Sequence, residues 1–242
     1  GREETVHPQV TLPLNDTAGT TTPRGAAVDA HAQKTLGPDL GVIYQDDALL
    51  VLDKPAGLAV QGGSKQTDSV TDRLRKFYAG SSYIPAPAHR LDKAASGILL
   101  AGKTYAMQSY LHELFKDEKE TLHRDYLCWV SGDATDFFAI PQAENVQMIL
   151  LEDQLQLCRM PDGKEKVCSM GGTKNASSAS SVSVGPLRKA LGRYRAVRCV
   201  NLNGFGPCTL VSARLAIGRK HQIRVQLASR GFPVIGDTRH GR

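Results

Sequence analysis

The stretch that most constrains this chain runs from Pro87 to Leu100: Pro-Ala-His-Arg-Leu-Asp-Lys-Ala-Ala-Ser-Gly-Ile-Leu-Leu. Its polar half holds His89, Arg90 and Asp92, a lone carboxylate two residues after a guanidinium. Ser96-Gly97 then supplies a turn, and Ile98–Ala101 is a short apolar run of the kind a buried strand needs. A carboxylate on a loop beside a packed strand is how a rigid scaffold presents one reactive group. Taken alone, Arg-x-Asp is more often a solvated surface ion pair, so the rest of the chain must decide.

At 242 residues, with 41% hydrophobic and 22% charged side chains, the chain can bury one sizeable core. No apolar run approaches the length that crosses a bilayer, so no membrane partner is expected. Five cysteines without a C-x-x-C pair point to reduced thiols, and seven histidines lack ligand spacing, so no metal is expected. The net charge of +6 is unevenly placed. From Arg188 to Arg242 twelve Lys/Arg face one acid, Asp237, which makes this segment +11 and the remainder −5. A one-sided positive field is the footprint of a protein with a polyanionic partner, here nucleic acid. Arg214, Arg219 and Lys220 are the candidates for phosphate contacts.

Residues 1–40 lack apolar periodicity and are expected to form an extended or disordered arm; order is expected from Gly41, in one domain spanning 41–242. Val42–Tyr44 and Ala48–Leu52 read as a hairpin, followed by a Lys54-Pro55-Ala56-Gly57 turn. Thr67 or Asp68 is expected to cap a helix to about Tyr78, and Thr104 a second helix carrying Met107, Leu111, Leu114 and Phe115 on one face. Tyr126–Val130 reads as a strand. Within the poorly patterned region 131–187, Ile149–Leu151 and Leu155–Leu157 read as a hairpin around Glu152-Asp153-Gln154. Gly171–Ser183 reads as a flexible insertion. Ala196–Val200 and Thr209–Arg214 read as strands, and His221–Arg230 as a short helix closed by Gly231.

Four separated blocks resemble, in order, the RluA family of RNA pseudouridine synthases. His89-Arg-Leu-Asp…Ser-Gly97 is similar to H-R-L-D-x-x-T-S-G, with Ala95 where Thr is usual. Val42–Val60 resembles the opening of the catalytic domain, and Arg124-Asp125-Tyr126 a K-x-Y. Gly218–Leu227 resembles T-G-R-x-H-Q-[IL]-R-V-H-L, with Ile217 for Thr and Gln226 for His. The same C-terminal block continues through Phe232–Asp237, which resembles G-x-P-I-x-G-D, with His240 where Tyr is usual. Relatives commonly continue past the position of Arg242 through a further strand and helix, so a truncated C-terminal end is expected.

The resemblance implies an α+β fold, a mixed, mainly antiparallel twisted sheet flanked by helices and loops, with the active-site cleft across the sheet. It implies isomerisation of uridine to pseudouridine by base flipping, glycosidic cleavage and carbon–carbon rejoining, without a cofactor. Asp92 is then the catalytic nucleophile or base, Arg224 the cation paired with it, and Tyr126 the ring that stacks on the uracil. Arg90 fills the space left by the flipped base or clamps the RNA backbone, and His89 and His221 are counted with the RNA-binding side chains. The implied partner is RNA, foremost ribosomal RNA of a large subunit or its precursor, with ribosome assembly proteins beside it. Two other readings compete: a catalytically idle RNA-binding assembly factor that keeps this fold, and a basic protein with a chance ion pair. The joint presence of Asp92, Tyr126 and Arg224 favours the enzyme. The expected setting is an organellar ribosome in the mitochondrial matrix, with the cytoplasm as the alternative.

Overall fold

A computed structural model of the chain describes residues 36–37, 39–63, 68–117, 122–138, 148–170 and 182–241. The expected arm therefore lies outside the described residues up to Leu36, and the Gly/Ser-rich insertion up to Val182. The elements are β1 (Gly41–Gln45), β2 (Leu49–Lys54), α1 (Val70–Phe77), β3 (Ala86–Pro87), β4 (Gly97–Gly102), α2 (Tyr105–Lys116) and β5 (Arg124–Ser131). There follow α3 (Thr135–Phe138), β6 (Ile149–Arg159), β7 (Glu165–Ser169), β8 (Val182–Ser183), β9 (Arg188–Leu202), β10 (Gly206–Leu215) and α4 (Gln222–Ala228).

The strands form two sheets, ordered β1-β2-β4-β3 and β5-β10-β9-β6-β7, with β8 on β6. Every pairing between these strands is antiparallel. This is the α+β architecture the resemblance implies, with the strands divided between two sheets.

Each sheet owns a core because its strands alternate. Leu50 and Leu52 of β2 stand beside Ala101 and Leu99 of β4 on one face of the sheet, in a common cluster with Val70 and Leu74 of α1. Val130, Tyr194, Ala196, Val211 and Ala213 of the second sheet pack beneath Leu227 of α4. Tyr126 touches both cores, which makes β5 the seam between the sheets.

Three sequence expectations change. Leu36 and Leu40 are buried in the first core, and Arg73 bonds the Leu36 carbonyl and Asp39, so order begins upstream of Gly41. The cap of α1 is Ser69, whose Oγ accepts the Asp72 N–H at 3.2 Å; Asp68 instead receives the Arg73 fork. The hairpin expected around Glu152-Asp153-Gln154 is one continuous strand, β6. Asp153 occupies an inward position there because Arg230, Gln226 and Ser169 all donate to its carboxylate.

Candidate active site

The loop between β3 and β4 presents Asp92 at a fixed place. Leu91 is anchored in the first core, and the Ala95 N–H donates to the Asp92 carbonyl at 3.0 Å. The next carbonyl, Lys93, accepts the Gly57 N–H at 2.7 Å and the Lys54 ammonium at 3.5 Å. Lys54 is wholly buried and also donates to Pro55 and Leu58 carbonyls at 2.7 and 2.8 Å. Burial pulls its pKa down, and the Asp92 charge partly opposes this. The sequence pattern marks this residue only as part of a turn. The structure shows a buried cation tying that turn to the Asp92 loop.

Arg224 reaches the same loop from α4. Its Nη1 donates to Asp92 Oδ2 at 2.9 Å, while Nε and Nη2 form a fork on Asp237 at 2.7 and 2.6 Å. The two carboxylates differ in exposure: the Asp92 side chain is 30% exposed and that of Asp237 is 3%. Burial alone would raise the Asp237 pKa. Arg224 and the backbone N–H groups of Arg239 and His240 outweigh it, so Asp237 is held well below the usual carboxylate range. The bonds to Asp237 in turn hold Arg224 firmly cationic. The buried carboxylate on Arg224 is thus Asp237, to which the sequence pattern assigns no role. The signal available was Gly236, whose φ of 82° makes the turn that aims it.

His221 precedes α4 with φ 55°, the one non-glycine residue with positive φ among those described. Its Nε2 lies 3.9 Å from Asp92 Oδ2, and its Nδ1 shares a 2.9 Å hydrogen bond with His240 Nε2. Burial lowers the pKa of both rings, that of His240 to about 4, so the pair is neutral at ordinary pH. Asp92, Arg90, His221, Arg224 and Arg239 border a pocket of about 360 Å³ together with the Ala59–Gln61 segment. Arg90 is exposed at its edge.

The other expected site residues fall in different places. Tyr126 sits at the seam between the sheets, where burial raises its pKa and the Asp92 charge adds to the rise. His89 turns inward: its ring stacks on Phe115 at 4.2 Å and Nε2 accepts the Leu100 N–H, with burial lowering its pKa to about 4. It braces the loop from behind and does not line the pocket. Arg214 makes a fork on Asp125 at 2.7 and 2.8 Å. Arg219 donates to the Lys189 carbonyl at 3.1 Å, and Lys220 is exposed. No three His, Cys, Asp or Glu side chains converge as a metal site among the described residues.

Residues 48–229 match the family model described as RNA pseudouridylate synthase. The chain belongs to this family. Its sequence is 30% identical over 215 residues to the ribosomal large subunit pseudouridine synthase C of Escherichia coli K12, covering 89% of this chain and 57% of that one. The enzyme of the same name from Rickettsia prowazekii is 30% identical over 201 residues, covering 83% and 56%. The chain thus spans just over half the length of these relatives. The solved human RNA pseudouridylate synthase domain containing 1 superposes with TM-score 0.59 at 20% identity, covering 84% of this chain and 70% of that one. Its counterpart containing 4 gives 0.55 at 23%, covering 83% and 68%. Both share the family fold.

Proposed function

We propose that this chain isomerises a uridine to pseudouridine in RNA, and that the RNA is large-subunit ribosomal RNA, the substrate class in the names of its bacterial relatives. The observation that carries the reading is Asp92, partly exposed beside an open pocket and oriented by a guanidinium that Asp237 locks from behind. The reaction breaks N1–C1′ and forms C5–C1′; C5 gives up a proton and N1 gains one, so atoms balance without a co-reactant. The target base leaves its stack at a cost of about a few kcal/mol, and Arg90 occupies the vacated position. Asp92 acts on the ribose as nucleophile at C1′ or as the base that starts cleavage. Arg224 fixes its orientation, and Tyr126 holds the uracil face.

The test is incubation with unmodified large-subunit rRNA transcript, followed by pseudouridine mapping. One or a few sites are expected with the wild-type chain and none with Asp92→Asn, whose RNA affinity stays close to wild type. Absence of pseudouridine with the wild type, or product from the Asn variant, overturns the assignment.

A further inference from the structure

The phosphate contacts expected at Arg214 and Arg219 do not lie at the pocket. Arg214 forks on Asp125 and Arg219 donates to the Lys189 carbonyl, and neither borders the cavity. The cations that do border it are Arg90, Lys93, Arg224 and Arg239, with Asp92 the single carboxylate among them. Arg224 is already engaged by Asp92 and Asp237. Arg90, Lys93 and Arg239 are exposed, and among the described residues no ion pair or hydrogen bond engages their side chains.

Arg239 is exposed, yet its backbone is fixed. The Ser131 N–H donates to the Pro233 carbonyl at 2.9 Å and the Ile235 N–H to the Trp129 carbonyl at 2.8 Å, which ties this segment to β5. The chain then winds around Asp237. Its Oδ1 accepts the Arg239 and His240 N–H groups at 3.0 and 3.1 Å, and its carbonyl accepts the Gly241 N–H at 2.9 Å. The same carboxylate holds Arg224, so Arg239 and the guanidinium that orients Asp92 share one anchor. Lys93 is mounted as firmly, its carbonyl accepting from Gly57 and Lys54. The Arg239 charge also reaches the site: burial lowers the His221 pKa most, Asp92 opposes, and Arg239 is among the cations that add to the fall.

Fixed like charges around one cavity repel each other, and the single carboxylate there is already bonded to Arg224. An arginine serving only solubility gains nothing from a rigid base at a cavity rim. A charge held there in advance binds an anion with little ordering cost. The uracil ring is neutral, so the anion these cations meet is the phosphodiester on either side of its ribose.

We propose that Arg239 and Lys93 form a phosphate subsite at the pocket mouth, holding the phosphodiesters that flank the flipped uridine so that C1′ is presented to Asp92. The proposal rests on the reading of the chain as an enzyme that acts on uridine in RNA. Lys93 falls on an open position of the H-R-L-D-x-x-T-S-G pattern, and Arg239 lies past the end of G-x-P-I-x-G-D. The subsite is therefore written in this chain's own side chains.

The test pairs protein variants with neutralised phosphates. A uridine trinucleotide with a fluorophore on its 5′ end is titrated with the full chain and followed by anisotropy. Two further trinucleotides each carry an uncharged methylphosphonate at one of the two linkages. Wild type should bind at least one of them about tenfold more weakly, the loss expected for a charge-assisted hydrogen bond. Arg239→Gln should show a similar loss on the natural trinucleotide and little further loss on the methylphosphonate that Arg239 meets. Lys93→Gln provides the same reading from the other segment, and each variant should lower the log–log salt slope by about 0.7. Arg239→Lys should restore the slope. A wild type indifferent to the methylphosphonates overturns the proposal, as do losses that simply add at both linkages, since an arginine with a merely structural role would give additive losses. The functional reading fails separately. Coupled losses without pseudouridine formation leave the subsite standing and remove the activity, whereas pseudouridine formation with additive losses does the opposite.

Discussion

Asp92 and Asp153 each accept a hydrogen bond from an arginine in or just past α4, Arg224 at 2.9 Å and Arg230 at 3.0 Å. Their surroundings are opposite. Asp153 is 2% exposed and also receives Gln226 at 2.8 Å and Ser169 at 3.1 Å, while Gln226 takes the Tyr194 hydroxyl at 2.8 Å. Asp92 is 30% exposed and borders the pocket, with the stabilising fork of its arginine turned to Asp237 instead. A carboxylate saturated with donors is committed to holding the fold. One that receives a single guanidinium N–H beside a cavity keeps the capacity to react. One short helix therefore serves a sealed network with one edge and an open one with the other.

The sharpest way to break this contrast is to make the same change in both networks. Asp92→Ala should cut turnover by about a thousandfold or more while costing under about 1 kcal/mol of stability, as for a partly exposed pair. Asp153→Ala should do the reverse, destabilising the fold by about 3–5 kcal/mol through the unpaired buried Arg230 and Gln226. Pseudouridine assays and denaturant titrations of the two variants decide. Comparable stability losses would end the distinction.

A second pair of variants tests what Arg224 is for. Arg224→Met should lower stability by about 3 kcal/mol because it strands Asp237, and Asp237→Asn in the same chain should recover part of that loss. Asp92→Asn should recover little. Equal recovery from both would mean that the two carboxylates share the guanidinium evenly, contrary to their exposure.

Acid should act on the open network first. His221 and His240 lie there, and neither histidine nor any other group titrating near neutrality belongs to the sealed one. An unfolded histidine takes a proton near pH 6.5, whereas folded His240 resists until about 4. Between those values the unfolded chain binds more protons, so stability falls as pH drops from about 6.5 toward 4. His89, at about 4, adds in the same sense. Melting temperatures should decline over this window, less steeply for His240→Gln; a flat profile would show the rings are not held neutral.

The smallest effect concerns Gln226→His, which installs the residue usual at this position in the family. Imidazole can still donate to Asp153 and accept from Tyr194, but it loses the amide's second N–H toward backbone carbonyls. A loss of about 1 kcal/mol is expected. A gain would mean that the glutamine is the poorer fit.

Asp92 and Arg224 were legible in the sequence because each stands in a dense local pattern, and the helix cap at Thr104 follows a short-range rule. Lys54, Asp153 and Asp237 were not. Each is a charged residue inside or next to turn-like composition, and local rules send such residues to solvent. What buries Asp153 is Arg230, 77 positions away, and what buries Lys54 is in part a carbonyl 39 positions away. No window of sequence contains both ends of these bonds. The long strand β6 was cut in two for the same reason: a polar triplet was read as a break when its middle member had partners in α4 and beyond.

The carbonyls gathered by the Lys54 ammonium also bear on how the molecule opens. Two belong to its own turn, and the third belongs to the loop that carries Asp92, which the Gly57 amide grips as well. Neither segment can swing out without breaking the other's bonds, so they should open as one cooperative unit. Deuterium uptake at Gly57 should then be as slow as at the buried β2 and β4 amides, although Gly57 itself sits in an exposed turn. The carboxylate proposed to do the chemistry would be mounted on one of the last parts of the chain to unfold, and a substrate would have to deform to meet it.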